Sequence, residues 1–212
     1  MAITLDAREQ ELKKRFAHPY EWGQRQSDEW DAHTDFVYHI FSFDALLLEL
    51  EARFKTEPIY KELLNYGTNR WYNFWSAKAV EQIFCSHPGV KAARDSNDRL
   101  RDFRIGDLSF DHKTSTYPRG FNHDLDYGQK HSKELVEWFY THQSQQRRKH
   151  YENRIFIVLY AFDGQHWRLK AELSWLDSLI RSYLDNFDAS KLFRFTFEGK
   201  RETVADVLWA VR

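Results

Sequence analysis

Arg101-Asp102-Phe103-Arg104-Ile105-Gly106-Asp107-Leu108-Ser109-Phe110-Asp111-His112-Lys113 is the stretch on which the fold turns. Gly106-Asp107 reads as a two-residue turn of the kind that joins antiparallel strands. Around it Ile105 is expected opposite Leu108, Arg104 opposite Ser109, Phe103 opposite Phe110, and Asp102 opposite Asp111. Side chains alternate between the faces of a strand. One face then carries Phe103, Ile105, Leu108 and Phe110, and the other carries Asp102, Arg104, Ser109, Asp111 and Lys113. A register slipped by one residue would mix the two faces, so the apolar set supports this pairing.

The polar face has a chemical consequence. Opposed residues on one face bring their Cβ atoms to about 5 Å, and like charges at that distance repel. A divalent cation between Asp102 and Asp111 relieves the repulsion, and Mg²⁺ favours hard carboxylate oxygens and water. Lys113 follows two residues after Asp111 on the same face. Two acids, a lysine and a metal can activate water and offset charge developing on a phosphate. The plainer reading is a solvated outer face on which Arg104 and Lys113 balance the aspartates. Spacing alone does not separate the two.

Asp102, followed by Phe110-Asp111-His112-Lys113-Thr114-Ser115, resembles the signature of the PD-(D/E)xK nuclease superfamily. There an acid on one strand precedes Asp or Glu, any residue and Lys on the next. The resemblance covers about residues 70–160. Arg101 stands where that signature often has proline, which leaves Asp95, Asp98 and Asp107 as alternatives for the first acid. The resemblance implies a restriction-endonuclease-like α/β fold, a mixed central sheet flanked by helices. It also implies a Mg²⁺-dependent phosphodiesterase acting on DNA, with Mn²⁺ as a substitute. Asp102, Asp111 and Lys113 would be catalytic, and Asp102, Asp111 and the backbone carbonyl of His112 would hold the metal.

The superfamily often places a further acid on a helix before the hairpin. Asn69–Cys85 reads as such a helix, ended by Ser86-His87-Pro88-Gly89. Glu81 lies in line with Phe74, Ala77, Phe84 and Cys85, and a carboxylate on an apolar stripe needs a partner or a metal. Lys78 is the alternative partner, at a spacing common for helical ion pairs. Arg119 and Lys130, after the second strand, and Arg147 and Arg148, in the basic cluster Gln145–His150, are candidate phosphate contacts. A basic last turn of a helix accounts for the cluster equally well.

Composition sets bounds. The 212 residues include 8 Trp, 11 Tyr and 17 Phe, with a mean hydropathy of −0.73, so a folded core is expected. The formal net charge of −1 does not mark a nucleic-acid binder, although Lys and Arg outnumber Asp and Glu between His112 and Arg154. The lone Cys85 excludes an internal disulfide and a multi-cysteine zinc site within one chain. No run is apolar enough to span a membrane. The start, Met1-Ala2-Ile3-Thr4-Leu5-Asp6, shows no basic-then-apolar signal pattern. A reducing, cytoplasmic setting is expected.

Along the chain, helices are expected over Leu5–Phe16, Asp35–Phe54 and Lys130–Tyr151, with a helical stripe from Leu173 to Phe187. Pro58 is expected to open a separate segment before the Asn69–Cys85 helix. Asn153–Tyr160 is an apolar, β-branched run suited to a strand buried on both faces. Short strands are expected at His166–Lys170 and Leu192–Phe197, and Thr203–Val211 reads as helix or strand. The order suggests a layered α/β arrangement, with a helical N-terminal extension over 1–68 packed on a nuclease-like core over 69–212. The leading expectation is a DNA-cutting enzyme, for which a symmetric homodimer often serves to cut both strands. The alternative is a catalytically inactive nuclease-fold protein that binds or assembles with a partner, as the high aromatic content also allows.

Overall fold

The computed structural model describes residues 3–22, 27–93, 101–142, 151–197 and 202–212. Arg147 and Arg148 fall outside them, as do Asp95 and Asp98. The chain forms an α/β structure with a mixed, open six-stranded sheet and flanking helices. It divides into two compact units, Met1–Ala79 with Lys170–Ser174, and Val80–Leu169 with Trp175–Arg212. The boundary expected at 68/69 falls inside one continuous helix, α4 (Tyr60–Cys85). No break separates the segment after Pro58 from Asn69. Among the described residues no helix is long and apolar enough to cross a membrane.

The first unit is helical. α1 (Leu5–Lys14) starts at Thr4, whose hydroxyl accepts from the Ala7 amide, and α2 spans Asp28–His33. The helix expected over Asp35–Phe54 is two pieces. A 3-10 turn covers Asp35–Tyr38, and α3 (Phe43–Phe54) begins afresh where the Ser42 hydroxyl accepts from the Ala45 amide. That hydroxyl satisfies an amide that has no partner within the helix, which fixes the start. α4 passes close to α3 at Gly67, where a Cβ would stand 2.7 Å from Leu50 Cδ2.

The second unit holds the sheet. Its strands are β1 (Val90–Ala92), β2 (Phe103–Ile105), β3 (Leu108–Thr116), β4 (Arg154–Tyr160), β5 (Phe193–Phe195) and β6 (Thr203–Val211), in the order β1-β2-β3-β4-β6-β5. β3 to β4 and β4 to β6 are parallel, and the other pairs are antiparallel. The hairpin register matches the reading of the turn: Ile105↔Leu108, Arg104↔Ser109, Phe103↔Phe110. Phe103 and Phe110 are fully buried. β4 is buried from Arg154 to Leu159. Thr203–Val211 is a strand, next to β4. The strand expected at His166–Lys170 is instead a 3-10 helix, His166–Ala171.

Helices cover both faces. α5 (Leu125–Lys130) and α6 (Ser132–Thr141) follow β3. Leu135, Val136, Phe139 and Tyr140 of α6 pack with Phe156 and Val158 of β4 and Ala205 of β6. On the opposite face Phe84, from the last turn of α4, stacks on Phe103 at 4.5 Å, and Phe110 meets Phe187, just past α7 (Leu173–Asp185), at 6.1 Å. The expected helix over Lys130–Tyr151 is thus the shorter α6, and its last part lies outside the described residues.

One residue sets the hairpin. Gly106 has φ +57°, and a Cβ there would meet nothing within 4 Å. Replacement is opposed by backbone strain alone. Gly106→Ala is expected to cost about 1–2 kcal/mol, and Gly106→Asn less, because Asn tolerates the left-handed region. Urea denaturation of the three proteins measures both.

Candidate metal centre

β3 changes partner in the middle. It pairs with β2 from Leu108 to Phe110 and with β4 from Asp111 to Thr116. The amides of Asp111 and Tyr117 donate to Asn153 and Leu159 carbonyls, both at 2.9 Å. By the two-residue period of a strand, odd-numbered residues turn their backbone groups to β4, and His112, Thr114 and Thr116 turn theirs to the other edge. β2 is not paired with that part of the edge. Asp102, one residue before β2, fills its start: its amide donates to the Phe110 carbonyl at 2.9 Å, and its Oδ2 accepts the His112 amide at 2.9 Å. The expected face-to-face pair of Asp102 and Asp111 is therefore realised differently. The paired register ends at Phe103↔Phe110, and the Asp102 carboxylate reaches along the edge of β3.

The same Oδ2 also lies 2.6 Å from His112 Nδ1. The His112 side chain is 5% exposed and packs against Phe84 and Phe103, with ring centroids at 6.0 and 6.4 Å. Its Nε2 is buried without a hydrogen-bond partner among the described residues, a loss of about 1–3 kcal/mol that the Asp102 contacts must offset. Asp111 is held from β4. Arg154, its register partner, donates Nε to Oδ2 at 2.7 Å and brings Nη2 to 2.5 Å from the same oxygen. Each aspartate is thus gripped through Oδ2.

The two carboxyls lie close enough to interact directly. Asp102, Asp111 and His112 each offer a ligand atom within 4.8 Å of the others. Burial would raise Asp102, but the His112 ring and amide hold its pKa down at about 2. Asp111 moves the other way, to about 6: burial and the neighbouring Asp102 charge outweigh Arg154. Lys113 is lowered, first by burial and then by the Arg154 charge, while Asp111 pulls it up. Lys113 is therefore close enough to feel both, and it forms no ion pair among the described residues.

No protein-family model, curated protein or solved structure matches this chain.

The other expected site residues lie apart from this cluster. Glu81 is half-buried on α4 and is not one of the three residues that converge. Arg119 is exposed beyond the far end of β3, and that end is about 17 Å along the strand from Asp111 at 3.3 Å per residue. Lys130 pairs with Asp126 at 2.7 Å and lines a separate open cavity of about 440 Å³ with Lys133 and Phe193. The sequence reading missed the His112 ring and Arg154. A signal for Arg154 was present, since an arginine opening an unbroken apolar run is buried with the strand and needs an acid.

The pKa values fix a pH dependence. Asp102, lowered, contributes stability above pH 4 that is lost as pH falls toward 2. Asp111, raised, loses stability as pH rises from 4 to 6, because the unfolded carboxyl ionises first. Stability of the metal-free protein is expected to fall between pH 4 and 6 by on the order of 1–3 kcal/mol from this group. Asp111→Asn should flatten that decline in urea titrations, and Asp102→Asn should lower the Asp111 pKa read by carboxyl carbon NMR.

Proposed function

We propose that the chain is a divalent-metal-dependent nuclease of the PD-(D/E)xK, restriction-endonuclease-like kind, hydrolysing phosphodiester bonds, in DNA before RNA. The observation that carries the reading is the pair of aspartates brought together where β3 changes partner, each gripped at Oδ2, with a largely buried lysine two residues after Asp111. The hairpin leading into parallel strands flanked by helices is compatible with that fold.

The donors fit a hard cation. Asp102, Asp111 and the His112 carbonyl, which by strand period faces the same edge as Asp102, would hold Mg²⁺ or Mn²⁺ through oxygen. When bound, such an ion supplies Lewis acidity and lowers the pKa of a water. The chain's own residues do the rest. Arg154 holds the Asp111 carboxylate in one orientation. The Lys113 ammonium, partly stripped of water, would offset charge on a phosphate oxygen or orient the attacking water. Water oxygen bonds to phosphorus, the phosphorus–oxygen ester bond breaks, and the leaving oxygen takes a proton.

One observation favours the alternative, an inactive nuclease-fold binding protein: Arg154 already neutralises Asp111. Single- and double-stranded DNA and RNA incubated with Mg²⁺, Mn²⁺ or EDTA separate the two. Cleavage that needs the metal and falls by at least about 10²-fold in Asp111→Ala and Lys113→Ala, with their circular dichroism unchanged, is the expected outcome. Undiminished cutting by folded Asp111→Ala removes the assignment. No cutting and no metal uptake by the wild type points to the binding protein.

A further inference from the structure

We propose that His112 is a positioning residue whose imidazole stays outside the coordination sphere and turns Asp102 so that Oδ1 is offered to the cation, making the centre an all-oxygen one. The inference rests on the metal reading of the site and adds which atoms bind and which only hold.

The geometry argues it in steps. The His112 ring nitrogen Nδ1 and the His112 amide converge on one oxygen of Asp102, at 2.6 and 2.9 Å. An ionised carboxylate only accepts, so Nδ1 carries the hydrogen. A nitrogen that carries hydrogen has no lone pair to give a metal. The lone pair is then on Nε2, which is buried with no polar partner among the described residues, on a ring packed against Phe84 and Phe103. Neither nitrogen is a ligand in this arrangement. Asp111 is held alike from the other strand, where Arg154 Nε and Nη2 both reach Oδ2. Ligating carboxylates are commonly fixed by such outer donors, and their loss typically weakens metal affinity about 10–100-fold. An all-oxygen set selects hard cations such as Mg²⁺, Mn²⁺ and Ca²⁺ over nitrogen-seeking ones such as Zn²⁺ or Cu²⁺.

The test uses Mn²⁺ alone and the full chain. Mn²⁺-loaded protein, with natural or ¹⁵N-labelled histidine, is examined by pulsed electron paramagnetic resonance. Mn²⁺ affinity is measured by calorimetry for the wild type, His112→Asn and His112→Leu. Asn keeps an N–H donor near the place of Nδ1, and Leu keeps bulk without a donor. Expected are no directly coordinated histidine nitrogen, near wild-type affinity for His112→Asn, and a loss of about 10–100-fold for His112→Leu. The labelled wild type answers the question even if a variant fails to fold. A nitrogen coupling of a bound imidazole overturns the inference and leaves the metal reading standing. So does an Asn variant that folds yet binds as weakly as the Leu one. Absence of Mn²⁺ uptake by the wild type removes the metal reading itself, and this inference with it.

Discussion

The candidate site depends on the change of partner in β3 between Phe110 and Asp111. Up to Phe110 the strand is bonded by β2, and from Asp111 it is bonded by β4 on its other edge. An antiparallel hairpin that stops early leaves the next inward amide, that of His112, without a strand to receive it. The Asp102 carboxylate receives it instead. A hydrogen bond to an ionised acceptor is roughly twice as strong as a neutral one. The same contact that closes the end of the ladder therefore brings one aspartate within range of another.

Two carboxylates so close do not share one fate. Asp102 is met by an amide and an imidazole and stays ionised far into acid, while Asp111 is more deeply desolvated and feels Asp102 as a like charge. Arg154 limits that cost without removing it. It sits at the start of the most buried strand, its guanidinium within 6 Å of the Tyr140 and Phe156 ring centres. A cation in such surroundings requires an anion, so Arg154 and Asp111 constrain each other. The pair explains why Asp111 can keep a charge next to a hydrophobic layer.

The sequence made some of this legible and concealed the rest for physical reasons. The hairpin register was readable because turn length and alternation agree, and any slip would expose Phe103 and Phe110. β4 was readable because burial on both faces leaves an unbroken apolar run. β1 was not, having three residues with only Val90 buried. Thr203–Val211 stayed ambiguous between helix and strand because Asp206, which accepts from the Tyr183 hydroxyl, interrupts its apolar pattern. At the site, Asp111 and Lys113 came from the motif. The His112 ring did not, because alternation assigns it to the apolar face and its partner reaches it around the strand edge. Arg154 is joined to Asp111 only through parallel pairing across 43 positions of sequence, which no local pattern encodes.

The charges around the site carry the argument one step further. With both aspartates ionised and Lys113 protonated, the two acids and the two bases, Lys113 and Arg154, balance before any ligand arrives. Under the nuclease reading proposed above, a divalent ion held by the aspartates would leave a surplus of two positive charges. A phosphodiester would bring one negative charge, and an attacking hydroxide a second. Balance would then be reached in the transition state and not in the bound substrate, which is the condition under which electrostatics accelerates a reaction. A third acid near the cation would cut that surplus, and among the described residues no third carboxylate joins the converging group.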